Sequence, residues 1–191
     1  MKKIILVLTF ILGTFAVSAS AQTATSSQTA NEGYVGYSFT RQDVKAQFNN
    51  TTLRFNENTD SHGVVANYTR YLGGTPTQAG IFGLTAEAGA SFADNEATLV
   101  TAMGGVTVKG RNYAYVQPSV RALIGAARER VTRTNLFDKS DVSVAYDLGA
   151  GLDVNVKKYS RYKLHFGADY LNTGFRGERQ NAVRLTTGII F

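Results

Sequence analysis

The sequence predicts an all-β protein, an eight-stranded antiparallel up-and-down transmembrane β-barrel. Three observations lead to this fold class: an apolar N-terminal segment that ends in small residues, eight segments of alternating apolar and polar residues, and a last strand that finishes on Phe191. A period of two residues indicates a strand with two different faces. A membrane barrel needs such strands, which are apolar towards lipid and polar towards the lumen.

The first 32 residues are expected to lie outside the barrel. Two lysines precede an apolar run that ends in an A-x-A motif, so we interpret residues 1–21 as a cleaved signal peptide. Residues 22–32 are mostly small and polar, and we expect them to form a disordered periplasmic tail. The barrel domain would then occupy residues 33–191.

Seven alternating segments follow, before the closing strand at residues 182–191. They are Tyr34–Thr40, His62–Tyr71, Ile81–Phe92, Thr98–Val108, Tyr113–Ala127, Val142–Val156 and Tyr162–Asn172. One face of these strands is rich in Gly, Ser and Thr, whose small side chains leave room in a narrow interior. The other face carries aromatic residues that suit the girdles at two membrane interfaces. We therefore assign the glycine-rich face to the lumen, whereas a soluble barrel would place its apolar face inside.

The connections between strands are expected to differ in length. An even number of strands places both termini in the periplasm, with short turns on that side and longer connections outside. The first outer connection, Arg41–Ser61, is the longest, and the third, Arg128–Asp141, is of moderate length. Pro118 lacks the N–H that a sheet ladder uses, so we expect a β-bulge near the periplasmic end of the fifth strand.

The closing strand carries a clear alternation at the end of the chain. Its apolar positions are Val183, Leu185, Ile189 and Phe191, with Thr187 on the same face. This terminus resembles the closing strand of outer-membrane proteins, and the resemblance implies that these residues form the assembly signal read by the barrel-insertion machinery. The alternative is a buried C-terminal strand of a soluble sandwich.

Composition excludes several kinds of site. The chain has no Cys, which excludes disulfides and thiolate metal sites. Its two histidines, His62 and His165, are expected near opposite membrane interfaces, so we predict neither a shared metal site nor any cofactor. The net charge of +6 falls to 6 − 2 = +4 without Lys2 and Lys3, which is too weak and scattered for nucleic-acid binding.

Residues 33–191 resemble the small outer-membrane barrels of the OmpA and opacity types. The resemblance rests on the signal peptide, the eight-strand periodicity, the terminal stretch at 187–191, and the stretch at 168–175 followed by Gln180-Asn181. It implies a location in the outer membrane of a Gram-negative bacterium. It also implies a structural or surface-interaction role through extracellular loops, although fold alone does not determine function.

Two other functions stay open beside this non-enzymatic role: a small pore for transport, and an outer-membrane lipid-modifying enzyme. The enzyme hypothesis depends on Asp60-Ser61-His62 at the outer rim. Neighbours in a strand point to opposite faces, so this tripeptide makes an awkward triad and no catalytic residue is assigned. A soluble lipocalin-like binder is the competing fold.

The expected partners follow from the membrane location. They are outer-membrane lipid and lipopolysaccharide, the barrel-insertion machinery and an extracellular ligand, while the protein itself should be a monomer. Arg128, Arg130 and Arg133 form a basic cluster near the outer interface. Guanidinium groups bind phosphates, so this cluster is a candidate for lipopolysaccharide contact, and a solvated charged loop is the alternative.

Long charged residues on the lumen face predict a charge network that plugs the barrel. The interior of an eight-stranded barrel is just wide enough for side chains to fill. A loop midpoint near 134 places Arg121 opposite Asp147, and one near 176–177 places Asp169 opposite Arg184, while Glu87 can reach Arg121 across the lumen. Asp153, Lys163 and His165 are also assigned to the lumen face. The alternative is that these charges line a wet channel without touching.

Overall fold

The computed structural model is a closed barrel of eight antiparallel strands. It describes residues 31–48, 51–72, 80–93, 97–113, 115–133, 137–156, 162–175 and 179–191. The strands are β1 (Asn31–Phe48), β2 (Thr51–Tyr71), β3 (Ile81–Ala93), β4 (Ala97–Lys109), β5 (Val116–Arg133), β6 (Phe137–Asn155), β7 (Lys163–Thr173) and β8 (Gln180–Ile190). The predicted signal peptide and residues 22–30 of the predicted tail lie outside the described residues. The part of the chain that is described contains no helix long and apolar enough to cross a membrane.

Each strand pairs with its neighbours in the chain, and β1 pairs with β8 to close the sheet. In the β1–β2 ladder, Gln42 pairs with Thr59 of β2. If the pairing partners are followed from Gln42 the other way round the barrel, from β8 back to β3, they lead to Thr69 of β2 instead. The difference, 69 − 59 = 10 residues, is the shear of the barrel. A shear of this size requires strands that are strongly tilted to the barrel axis. Asn31 and Phe191 lie at one end of the barrel, called here the terminal end, and the opposite end is the hairpin end.

Side chains alternate between the two faces of the wall as the sequence predicts. On β6, Leu148 is 62 % exposed on the outside while its neighbour Asp147 is fully buried in the lumen. The exposed large apolar side chains of β1 to β8 all lie on the outer face, and Gly, Ser, Thr and charged residues fill most of the inner face. A closed sheet with an apolar outer wall and a polar interior is the arrangement of a transmembrane barrel.

Two of the predicted loops are wrong, because they are paired strands. Residues 41–61 continue the β1–β2 ladder as far as Phe48 and Thr51, and residues 128–141 continue the β5–β6 ladder as far as Arg133 and Phe137. Beyond the membrane both faces of a hairpin contact water, so these segments lose the apolar alternation that marks a membrane strand while backbone pairing continues. We call β1–β2 and β5–β6 the tall hairpins.

The predicted barrel boundary at residue 33 is also too late, and the predicted bulge at Pro118 is absent. β1 begins at Asn31, so Glu32 belongs to the barrel rather than to the tail. The β5–β6 register runs through Pro118 without a shift. The carbonyl of Pro118 accepts a hydrogen bond from Gly110 N at 2.8 Å, just beyond the last β4–β5 pair, Lys109–Ser119. The ring nitrogen of Pro118 faces the same side and cannot donate to Gly110 O, which instead accepts a hydrogen bond from Gln117 Nε2 at 3.1 Å.

The β1–β8 seam closes on small residues. Gly36 pairs with Gly188, and a Cβ atom on either glycine would overlap backbone atoms of the opposite strand. The Tyr34 ring lies beside both glycines on the lumen side. At the terminal end, Gly33 and Phe191 exchange backbone hydrogen bonds of 3.0 and 2.9 Å. The Phe191 ring occupies the space that a Cβ atom on Gly33 would need.

Candidate functional site

The lumen is the candidate functional site because it gathers most of the buried charges of the described residues. A set of five residues, here called the central network, comes from five different strands. Its members are Glu87 of β3, Arg121 of β5, Asp147 of β6, Asp169 of β7 and Arg184 of β8. The alternation of faces turns all five side chains inward, and the shear of the barrel brings them to one level.

Arg121 binds two of the carboxylates directly. Its Nη1 donates to Glu87 Oε2 at 2.8 Å, and its Nε and Nη2 donate to the two oxygens of Asp169 at 3.0 and 2.5 Å. Two parallel bonds of this kind match the planar guanidinium fork to the carboxylate. Arg121 Nε also lies 3.6 Å from Asp147 Oδ1. Arg121 therefore contacts every acid of the central network.

Arg184 contacts the same three acids from the opposite side. Its Nη2 donates to Glu87 Oε1 and to Asp147 Oδ2, each at 2.7 Å, and its Nε donates to Asp169 Oδ2 at 3.2 Å. Each carboxylate therefore lies within 4 Å of both guanidinium groups. A closed set of reciprocal ion pairs is the arrangement that allows charges to stay buried.

Gly149 creates the space in which the central network forms. A Cβ atom at this position would overlap Asp169 Oδ1 and would lie 3.0 Å from Arg121 Nε. Gly149 is also the residue that pairs with both Arg121 on β5 and Asp169 on β7. Gly149 therefore leaves the space that the Arg121–Asp169 ion pair occupies.

The two pairings expected from loop midpoints differ in outcome. Asp169 pairs directly with Arg184 across the β7–β8 hairpin. Arg121 pairs with Gly149 rather than with Asp147, which pairs with Leu123. The hairpin is centred between Arg133 and Phe137, one residue later than the sequence estimate, so the partner moves by two residues. The long guanidinium group spans this offset.

A second charge cluster, the terminal cluster, lies nearer the terminal end. Lys109 Nζ contacts Glu32 and lies 2.6 Å from Asp153 Oδ2, while Lys163 Nζ donates to Glu32 Oε1 at 2.7 Å. His165 Nδ1 lies 2.6 Å from Asp153 Oδ1. Sequence reasoning placed three of these residues on the lumen face but missed Glu32 and Lys109. Both lie at positions of their strands that alternate inward, but Glu32 was assigned to the periplasmic tail and Lys109 to a turn.

The β4 to β8 side of the hairpin end of the lumen is apolar, which sequence reasoning did not foresee, while the β1 to β3 side is lined by polar residues such as Gln42 and Ser61. Leu99, Met103, Leu123 and Leu171 pack together with Phe175, and each is at most 8 % exposed. The same apolar layer contains three alanines, Ala127, Ala145 and Ala182. The inner face of the fourth and fifth strands was interpreted as polar, although Leu99, Met103 and Leu123 stand on it. Their parity in the strand is the signal that could have identified them.

The basic cluster is only partly described. Arg128 and Arg130 are exposed on the outer face of β5, near the hairpin end. Arg128 Nε donates to Ser140 Oγ of β6 at 2.8 Å. The Arg133 side chain lies outside the described side chains, although its backbone pairs with Phe137. The structure therefore presents two arginines on the outer wall.

The Asp60-Ser61-His62 tripeptide does not form a triad. Ser61 is buried inside the wall and its Oγ donates to Thr40 O at 3.3 Å. His62 lies on the outer face, where its ring contacts Phe39 and hydrogen-bonds the Tyr37 hydroxyl. Asp60 forms an exposed ion pair with Arg41 at 3.9 Å. The wall of the barrel therefore separates the serine from the histidine.

The assembly residues all stand on the outer face of β8 and its end. Val183, Leu185, Ile189 and Phe191 are each about half exposed in the isolated chain, at 54, 50, 49 and 50 %. They form one row beside the seam, in which Thr187 is the polar member. Across the described ranges, no three His, Cys, Asp or Glu side chains are grouped as metal ligands would be.

Comparison with known proteins shows the fold but no close relative. No protein-family model and no curated protein matches the sequence. Neisserial surface protein A superposes with a TM-score of 0.64 at 10 % identity, over 87 % of this chain and 98 % of that protein. Ail, the attachment invasion locus protein of Yersinia pestis, gives 0.51 at 16 % identity, over 84 % and 97 %. The chain therefore has the closed eight-stranded antiparallel fold of these small outer-membrane barrels.

Proposed function

We propose that the protein is a non-enzymatic surface protein of the outer membrane, whose closed barrel holds the two tall hairpins outside the cell. One observation carries this proposal: the tall hairpins continue to pair well beyond the barrel wall, whereas the other two hairpins end close to it. Partner binding by such projections would be the function, and the barrel would be its anchor.

The β1–β2 tall hairpin continues above the point where its neighbouring strands end. β8 stops pairing with β1 at Gln42, and β3 stops pairing with β2 at Ser61, so among the described residues β1 and β2 pair only with each other beyond these points. The strand from Gln42 to Phe48 then extends by about 20 Å, at roughly 3.3 Å per residue. On β6, the described pairing with β7 begins at Ala145. Unpaired strand edges offer backbone donors and acceptors to an extended segment of a partner.

Membrane insertion is supported by the outer wall. Large apolar side chains stand outward on every strand, and aromatic ones cluster towards the two ends. Tyr146, Tyr170 and Phe92 stand nearer the hairpin end, while Phe82, Tyr162 and Phe191 stand nearer the terminal end. Rings at these two levels suit the two interfaces of a bilayer. With the terminal end in the periplasm, the tall hairpins face the outside.

The filled lumen argues against a pore. The central network crosses the barrel, and its acids Glu87 and Asp147 have fully buried side chains. The apolar layer lies above it, closed by the fully buried Phe175. A solute would have to break several ion pairs and then pass the buried side chains of the hairpin end, Phe175 among them. We therefore place transport below surface interaction, and the separation of Ser61 from His62 gives a lipid-modifying enzyme no support.

Arg128 and Arg130 are proposed as a contact for lipopolysaccharide phosphates. Both stand on the outer wall just beyond the aromatic level near the hairpin end, where charged headgroups would lie. Arginine binds phosphate through paired donors. Arg133 is included in this proposal because it continues the same strand. The probe is purified lipopolysaccharide added to the refolded barrel, with Arg70 as an outward-facing control at the opposite end.

Surface proteolysis tests the proposed function. Trypsin applied to intact cells should cut after residues of the tall hairpins, namely Lys45, Arg54, Arg133 and Lys139. The folded barrel should survive and still migrate faster on an unheated gel than on a heated one. A chain in which these four positions are Gln serves as the matched control. Cleavage only after the cells are permeabilised would contradict the proposed orientation, and recovery from a soluble fraction would contradict the membrane location.

A separate measurement tests the closed lumen. Planar bilayers that contain the wild-type protein should show no steady nanosiemens conductance. A stable open channel would favour the small-pore alternative. Binding by the tall hairpins is then tested with chains in which residues 43–60 or 132–144 are replaced by a short turn. Loss of cell-surface binding with retained heat modifiability would support the interaction role.

A further inference from the structure

The lower lumen contains a polar cavity that the closed-barrel proposal does not use. Its volume is about 40 Å³ and it lies between the central network and the terminal cluster. A buried water needs roughly 10–15 Å³ of such space, so the cavity holds about three or four waters. The residues that define it are Tyr34, Thr107, Lys109, Ser119, Arg121 and His165. We call this cavity the terminal chamber.

The lining supplies the partners that buried water requires. Ser119 and Thr107 contribute hydroxyl groups, and Lys109 and Arg121 contribute charged donors. The Tyr34 hydroxyl is buried and has no hydrogen-bond partner among the described residues. A phenol in this position needs a partner, and water in the chamber can provide one. The chamber is therefore polar enough to stay wet rather than empty.

Some side chains of the terminal cluster reach solvent, although Lys109 and Asp153 of the same cluster are only 5 and 1 % exposed. The side chains of Lys163, Glu32 and His165 are 24, 12 and 12 % exposed, whereas those of Glu87 and Asp147 in the central network are fully buried. The apolar layer and the fully buried Phe175 lie above on the β4 to β8 side, while buried polar side chains such as Thr40, Gln42 and Ser61 lie on the β1 to β2 side. Water can therefore approach the chamber from the terminal end and meets the buried ion pairs of the central network towards the hairpin end.

We propose that the terminal chamber is a hydration site open to solvent from the terminal end alone, so that the lumen is a half-channel that ends at Arg121. Its ligand class is water and other solutes of water size. The lower lumen then exchanges its contents with the periplasmic side if the orientation proposed above holds. The chamber itself depends only on the geometry of the barrel.

Single cysteines test this inference directly, since the natural chain has none. Ser119→Cys places a thiol in the chamber, and Leu123→Cys places one in the apolar layer, four residues along the same inward face of β5. Refolded variants in detergent are exposed to Ag⁺, and unreacted thiol is counted with a maleimide after unfolding. The Ser119 variant should react at least about tenfold faster, because the Leu123 thiol needs local opening of the wall or the apolar layer.

Three outcomes would overturn the inference. Equal rapid reaction of both thiols would show that the lumen is open throughout, and equal slow reaction would show that the chamber is sealed. No acceleration at Leu123→Cys on adding Phe175→Ala would show that the apolar layer is not the barrier. If a variant does not fold, water-to-protein magnetisation transfer in the wild-type barrel gives the same test. Signals at Thr107 without signals at Leu123 support the half-channel, and the reverse contradicts it.

Discussion

Arg184 is the residue whose loss should destabilise the barrel most. It contacts Glu87, Asp147 and Asp169, and its side chain is 4 % exposed. With all groups ionised the central network holds three carboxylates and two guanidiniums, a net charge of 2 − 3 = −1. Arg184→Met keeps the side chain long but leaves one guanidinium for three carboxylates, a net charge of −2. Removing one partner of a buried ion pair costs about 3–5 kcal/mol, and Arg184 is the partner of three carboxylates.

Glu87→Gln is the matched variant inside the same network. It removes one of three negative charges, which brings the net charge to zero, and both arginines keep Asp147 and Asp169 as partners. The expected cost is therefore smaller, about 1–3 kcal/mol for the lost charged hydrogen bonds. Asp60→Ala is the external control, because its ion pair with Arg41 is 3.9 Å long and about half exposed. Pairs of this kind contribute about 0–1 kcal/mol.

The assay is urea unfolding of the barrel in lipid vesicles, followed by heat modifiability and circular dichroism. The free energy of unfolding should fall in the order Asp60→Ala, Glu87→Gln, Arg184→Met, with a gap between the last two. A cost below about 1 kcal/mol for Arg184→Met would mean that water replaces the lost contacts. That result would refute the description of the central network as a closed set of buried ion pairs.

Four further predictions test the wall, the lumen and the end of the chain. Deletion of Phe191 should block membrane insertion while secretion continues, and normal amounts of heat-modifiable barrel would contradict it. Leu148→Arg should lower the free energy of unfolding in vesicles by about 2–4 kcal/mol, because Leu148 faces lipid midway along β6. An unchanged stability would contradict the assignment of this face to lipid. Gly149→Val should cost about 1–3 kcal/mol by overpacking against Asp169, measured by the same unfolding assay. The double variant Arg128→Gln, Arg130→Gln should bind lipopolysaccharide more weakly and keep the same unfolding curve. An unchanged affinity would contradict the proposed lipopolysaccharide contact.

The fold was accessible from the sequence because lipid enforces alternation. Each membrane strand must be apolar on its outer face, so the period of two residues marks strands such as Ile81–Ala93 almost to their ends. No such constraint acts on the segments above the membrane. The pairing of Lys45 with Asn56 is a backbone feature that leaves no apolar pattern, and the tall hairpins therefore looked like loops.

The central network was accessible for a related reason. Charged residues in the middle of a membrane strand stand on its inward face, and Asp169 and Arg184 fall opposite each other by simple counting. The position of Asp147 was less certain because one residue in the hairpin turn moves its partner by two. The apolar layer could not be found from composition, since Leu123 and Met103 differ from lipid-facing residues only in parity.

The seam between β1 and β8 sets the order in which the barrel can form. Tyr34 pairs with Ile190, residues separated by 190 − 34 = 156 positions, whereas the other strand pairs join neighbours in the chain. Contacts of such long range form slowly, because a large loop must close before they contribute. Until that step, β1 and β8 are open edges of a curved sheet, able to pair with any other strand. Gly36 and Gly188 then let the two backbones approach each other, and the Tyr34 side chain lies beside both glycines in the closed seam.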